Sequence, residues 1–188
     1  VQLVWRAFYG NLGPNPIEEI TRELGVWALR LLIAGLAITP LVHFTKQLAL
    51  IRLRRPIGLV AFAYVLLHLS SYIGLDQFFD WNAIFKDILK RPFITLGMLG
   101  FVLLTPLAVT STNAMTRKLG PKVWRRVHKL VYAVASLGVV HYFLLVKADH
   151  RPPLIYGAIL AVLLGYRAAR TFGRRQKATP ARIQEAQN

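Results

Sequence analysis

The stretch IGLVAFAYVLLHLSSYIGL, residues 57–75, contains no charged side chain and a single imidazole, His68. Its length matches the roughly 20 residues that a helix needs to cross about 30 Å of hydrocarbon. A second stretch, LVYAVASLGVVHYFLLV at 130–146, repeats the pattern with His141 and has His128 just ahead of it. An ionisable side chain inside hydrocarbon is costly, and by default it is retained because something uses it.

Working outward, apolar blocks at 26–44, 93–109 and 154–171 have the same character, which makes five spanning helices. The opening residues, VQLVWRAFYG, read as the outgoing end of another apolar segment. The expected fold class is therefore all-α integral membrane. It is a six-helix transmembrane bundle in the intact protein, with five full spanning helices plus the end of the first in this chain. A content of 55% hydrophobic residues over 188 positions, with mean hydropathy +0.43, excludes an ordinary soluble domain of this size. The blocks lack period-two alternation, so a membrane-spanning barrel is excluded as well.

The formal charge of +16 is segregated by loop. Residues 44–56, residues 110–129 and the stretch from Arg167 onward hold sixteen of the 24 basic side chains. The alternate loops hold Glu18, Glu19, Glu23, Asp76, Asp80, Asp87 and Asp149, seven of the eight acids. The positive-inside rule then assigns the basic loops and the C-terminus to the cytoplasm, so that the chain sits as a multi-pass membrane protein. The basic clusters find their partner in anionic membrane lipid, and a nucleic-acid partner is not needed. Residues 172–188, mostly GRRQKATPARIQEAQN, read as a basic cytoplasmic tail following a single membrane domain, 1–171.

The absence of cysteine excludes thiol exchange, iron–sulfur clusters and covalent haem attachment. The histidines remain. His68 lies about eleven residues past Ile57, roughly 16 Å along its helix, and His141 lies thirteen residues past His128, roughly 20 Å. Both helices run outward, so the two imidazoles reach similar depths in the outer half. A haem with one axial imidazole from each of two neighbouring helices requires this arrangement, and double ligation suits electron transfer rather than substrate chemistry. The plainer alternative for His68 is a core imidazole satisfied by Ser70, Ser71 or Tyr72. His128, in WRRVHKLVY at the inner boundary, either serves a second carrier or simply faces head groups. His43 ends another helix on that side, and His150 reads as a solvated loop residue. Arg54, Arg55, Arg125, Arg126 and Lys129 can pair with haem propionates or a flavin phosphate. Thr110, Ser111 and Thr112 can donate hydrogen bonds there or, equally, stop one helix and cap the next.

Five segments together, AITPL at 37–41, RLRRPIGLVAFAYVLLHLSSY at 52–72, KRPFITLG at 90–97, TSTNAM at 110–115 and RKLGPKVWRRVHKLVYAVASLGVVHY at 117–142, carry a resemblance. The chain resembles the MsrQ (YedZ-type) family within the ferric reductase-like transmembrane proteins, over nearly its whole length. That resemblance implies a haem-binding electron-transfer subunit rather than a catalytic one. It also implies haem b, with FMN as a further cofactor. Electrons would come from the quinone pool or a cytoplasmic flavin reductase and go to MsrP, a periplasmic molybdenum-cofactor enzyme that reduces methionine sulfoxide in proteins. In the wider family four histidines on two helices hold two stacked haems. Here the positions thirteen and fourteen residues before His68 are Arg55 and Arg54, so His128 has no histidine opposite it. His68 and His141 are thus the expected iron ligands of one haem, with His128 available to a second. The other classes are a ferric or flavin-linked transmembrane reductase and a haem-free membrane scaffold. The first would normally bring a dinucleotide-binding domain, which these 188 residues do not hold. The second would leave histidines at matched depth unexplained.

Overall fold

The computed structural model describes residues 14–185, with side chains through residue 172. The opening apolar segment read from the sequence therefore lies outside the described residues. Seven helices follow in order: α1 (Pro16–Thr45), α2 (Arg54–Ser71), α3 (Trp81–Lys90), α4 (Pro92–Val109), α5 (Asn113–Val127), α6 (Leu130–Leu145) and α7 (Arg151–Glu185). A 3₁₀ turn, Leu48–Leu53, leads into α2, and a π turn, Tyr72–Asp76, extends it. Four of these segments are long and apolar enough to cross a membrane, and a fifth crosses if α5 and α6, bent by 44° at their junction, act as one span. The chain is an all-α, multi-pass membrane protein.

Local chemistry sets the helix ends. Asn15 caps α1 by accepting a hydrogen bond from the Glu18 amide (3.3 Å), Pro16 opens its first turn, and Glu18 and Glu19 face the positive end of its dipole. It stops where Lys46 turns left-handed (φ 60°) and returns its amide to the Val42 carbonyl. Asp80 caps α3 through the Ala83 amide (3.0 Å), and Thr112 caps α5 through Met115 (3.2 Å). Within α5 the chain breaks at Gly120 (φ 70°), a conformation that favours glycine, and Pro121 follows. The hydroxyls of Thr110 and Ser111 donate to carbonyls of their own helix, Pro106 (2.6 Å) and Leu107 (2.6 Å). The TST element thus ends α4 and caps α5, one of the two roles read for it from the sequence.

Two antiparallel pairs, α1 with α2 and α4 with α6, pack face to face, and α7 closes against α6 and α1. Leu32, Ala61, Leu104, Leu107 and Val134 meet where the four paired helices converge. Leu36, Ala135 and Leu160 join α1, α6 and α7. Ala61 and Ala135 are both 0% exposed, and their methyl groups are what let neighbouring backbones approach, as small residues do between membrane helices. The outer surface is apolar, with Phe44, Leu154 and Val162 among its exposed side chains. Polar cross-links tie α7 inward: Arg30 donates to the Tyr156 hydroxyl (2.7 Å), and Arg167 donates to the Leu36 carbonyl (2.7 Å) and to the Thr39 hydroxyl.

Overpacking a filled helix contact typically costs about 1–3 kcal/mol. Ala135→Leu should therefore lower the thermal unfolding midpoint of the protein in detergent micelles. Val162→Leu, on the exposed face of α7, should leave it within about 0.5 kcal/mol of the parent.

Candidate functional site

An apolar cleft opens between α1, α2, α4 and α6. Its walls are apolar, built from side chains such as Leu29, Leu32, Val65, Phe101 and Val134, and four polar side chains line it: Arg22, His68, His141 and Tyr142. Apolar walls with a few convergent polar groups are the character of a pocket for a mostly apolar ligand.

The two imidazoles face the cavity with ring centroids 6.1 Å apart and planes at 85°. Each is held in the same way. His68 Nδ1 donates to the Thr21 carbonyl of α1 (2.7 Å), and His141 Nδ1 donates to the Phe93 carbonyl of α4 (2.6 Å). A carbonyl can only accept, so in both rings the proton sits on Nδ1 and the lone pair on Nε2. The donor environment recurs too. Four residues beyond Thr21 comes Gly25, and four beyond Phe93 comes Gly97. A Cβ at Gly25 would sit 3.0 Å from His68 Cε1, and one at Gly97 would sit 3.1 Å from His141 Cε1. Residues four apart share a helix face, so each missing side chain leaves room for an imidazole to lie on the helix and reach the carbonyl one turn back. Two unrelated stretches of sequence thereby build one cradle twice.

This geometry fits a haem. Two neutral imidazoles on neighbouring helices, each with Nδ1 on a carbonyl, could offer their Nε2 atoms to one iron in apolar surroundings. Among the described residues no group of three or more His, Cys, Asp or Glu converges. Arg22, at the acidic end of the cavity, pairs with Glu18 (2.6 Å) in a contact more than half exposed, and is the cation nearest the pocket.

The candidate residues at the basic end are arranged differently, and none of them lines this cavity. His128 ends α5, its ring stacked on Trp124 (centroids 3.9 Å, 25°) and its Nε2 at 3.2 Å from the Thr110 hydroxyl. Because that hydroxyl already donates to Pro106, His128 Nε2 is the donor to it. Trp124 donates to the Thr110 carbonyl (3.0 Å), so Thr110 anchors both rings. Arg54 reaches the Thr39 hydroxyl (3.0 Å), and Arg55 donates to the Asn113 side chain. Arg125 and Arg126 are exposed in the last turn of α5. His43 lies beside Phe44 and Tyr166 at the end of α1, and His150 packs on Phe143 (4.9 Å) outside the cavity.

Gly25, Gly97, Arg22 and the carbonyls of Thr21 and Phe93 escaped the sequence reading. A signal existed for the glycines, since glycine within a helix costs roughly 1 kcal/mol relative to alanine and needs a packing reason.

A bundle of apolar helices enclosing paired imidazoles defines a class, and the chain belongs to it: residues 24–139 match the ferric reductase like transmembrane component family. Within that family it is similar to proteins that share one name. The chain is 61% identical over 165 residues to the "Protein-methionine-sulfoxide reductase heme-binding subunit MsrQ" of Caulobacter vibrioides, covering 88% of this chain and 79% of the relative. It is 54% identical over 177 residues to the protein of that name from Rhodospirillum rubrum, covering 93% and 85%. To the one from Herminiimonas arsenicoxydans it is 50% identical over 169 residues, covering 89% and 78%.

Adding a branched side chain at either cradle must displace an imidazole. Gly25→Val and Gly97→Val should each cost about 1–3 kcal/mol in unfolding experiments in micelles. Gly58→Ala, a helix position with nothing within 4 Å of the new methyl, should instead stabilise by roughly 0.4–1 kcal/mol.

Proposed function

We propose that this chain is a b-type cytochrome of a bacterial inner membrane, with its C-terminus in the cytoplasm, carrying electrons outward to MsrP for the repair of methionine sulfoxide in proteins. The observation that carries this reading is the pair of imidazoles in an apolar cavity, each with Nδ1 committed to a backbone carbonyl and Nε2 left to bind iron. His68 and His141 would hold one haem b between them, and the haem would supply a one-electron couple with no open coordination position. The chain's own part is to orient, to desolvate and to insulate. Thr21 and Phe93 fix the tautomers, as the outer hydrogen bond of a metal-bound histidine commonly does. The leucine walls exclude water. Arg22 is placed to turn from Glu18 to a propionate, which would set the acidic edge of the haem toward the periplasm.

The reading extends to the inner side. His128, Arg54, Arg55, Arg125 and Arg126 stand near the cytoplasmic boundary, where electrons from the quinone pool or a flavin reductase would enter, and a second haem or FMN there would shorten the path. The Trp124–His128 stack offers an aromatic surface for such a carrier. Residues 1–171 would form the haem-binding domain and 172–188 the basic tail. The identity of the relatives and the segregated loop charges support partnership and orientation respectively.

Two experiments test this. His68→Ala and His141→Ala should each abolish a low-spin bis-imidazole absorption and electron paramagnetic resonance signature in purified protein from haem-replete cells, and His150→Ala should keep it. Retention of that signature in both single variants overturns the ligand pair. In oriented vesicles with a reduced quinone pool, added MsrP should turn over methionine sulfoxide. His128→Ala should slow haem reduction by quinol or reduced flavin at least about tenfold while sparing reduction by a small diffusible reagent, the size expected if about 1.4 kcal/mol or more of coupling is lost. Equal rates in that variant and the parent remove His128 from the relay.

A further inference from the structure

Helix α3 has no part in the cavity, yet its surface is the most sharply two-sided in the molecule. At 100° per residue, Trp81, Phe85 and Leu89 fall within about 80° of arc, and Lys86 and Lys90 lie further round. Their exposures are 57%, 65% and 86% for the three apolar side chains, whereas Ile84, on the edge that turns to the bundle, is 5% exposed. Large apolar side chains left open in a contiguous row mark an interaction surface.

The chain restricts what can cover that row. A single residue, Arg91, joins α3 to the first residue of the spanning helix α4, and only residues 77–80 separate it from the π turn that ends the α2 span at Asp76. Both ends of α3 are therefore held at a membrane boundary, and the helix lies where hydrocarbon gives way to head groups. The preceding turn supports the same occupant. Phe78 and Phe79 are left-handed (φ 48° and 61°), a conformation disfavoured for residues with a Cβ, and they present two further exposed aromatic rings beside Trp81. Aromatic side chains concentrate at this level of a bilayer.

We propose that α3 is a surface-lying membrane anchor. Phe85 and Leu89, flanked by Trp81 and the Phe78–Phe79 turn, enter the acyl region of the leaflet at the acidic end, and Lys86 and Lys90 meet phosphate head groups. The anchor is wired to the site. Asp87 of α3 accepts from the Tyr72 hydroxyl (3.2 Å), one turn beyond His68, and pairs with Arg91 (3.1 Å) at the start of α4, two residues before the Phe93 carbonyl that orients His141. Thr95 of α4 donates to the Ile88 carbonyl. Seating α3 in lipid thus braces the outer ends of the helices that hold both imidazoles.

The lack of native cysteine makes the test direct. Single substitutions Phe85→Cys, Leu89→Cys, Lys86→Cys and Lys90→Cys in the full chain would carry nitroxide labels, with the protein in nanodiscs of phosphatidylethanolamine and phosphatidylglycerol. Relaxation by oxygen should exceed relaxation by a water-soluble nickel complex several-fold at 85 and 89, with the order reversed at 86 and 90. Labels at 85 and 89 shielded from both reagents would mean that protein covers the face, whether another segment of the chain or a second copy, and would overturn the proposal. Strong relaxation by nickel at all four sites would leave the helix in water, open to a soluble partner, and would overturn it equally.

Discussion

Inside hydrocarbon an imidazole has no water to satisfy its ring nitrogens, and most of what is specific about this bundle follows from that constraint. Each of the two deep histidines resolves it by giving Nδ1–H to a carbonyl on a neighbouring helix. Those carbonyls already belong to helical ladders, so they accept a second bond only where the neighbouring face is open enough to admit a ring. Gly25 and Gly97 open it. The pairing of α1 with α2 and of α4 with α6 is thereby fixed in rotation as well as in contact, because any other face would bury an imidazole against a Cβ and leave its proton without an acceptor.

The same constraint divides the molecule into two ends with different chemistry. At the acidic end each histidine has its Nδ1 on a backbone carbonyl and lines an apolar cavity. At the basic end His128 lies on Trp124 and gives its Nε2 proton to Thr110. The distinction between a histidine that lines the cavity and one built into a boundary follows from these partners, and it agrees with the sequence, where His128 stands among Arg125, Arg126 and Lys129 at the edge of an apolar block. Arginines near the basic end are likewise tied to Thr39, Asn113 and the Leu36 carbonyl, which fixes the helix ends there.

Helix α3 illustrates how a short element escapes a reading based on spans. Ten residues with Lys86, Asp87 and Lys90 among them fall far below a membrane-crossing length, so the segment between two spans reads as loop. Its apolar positions, 81, 84, 85, 88 and 89, nonetheless follow helical spacing, and Asp80 supplies a cap signal. The helix was present in the sequence at a shorter scale than the one that dominates this composition.

The sequence by itself determined the membrane class, the boundaries of the long helices to within a few residues at most ends, the sidedness of charge and the two histidines of matched depth. These depend on composition and on distance along a helix, which are properties of single segments. It did not determine which helix faces meet. The cradles of Thr21 with Gly25 and of Phe93 with Gly97, the position of Arg22 at the cavity edge and the engagement of His128 by Thr110 each join residues far apart in the chain. Only the tertiary structure decided them, because a hydrogen-bond acceptor on one helix becomes available to a side chain on another through rotation and approach, and neither is encoded within either helix alone.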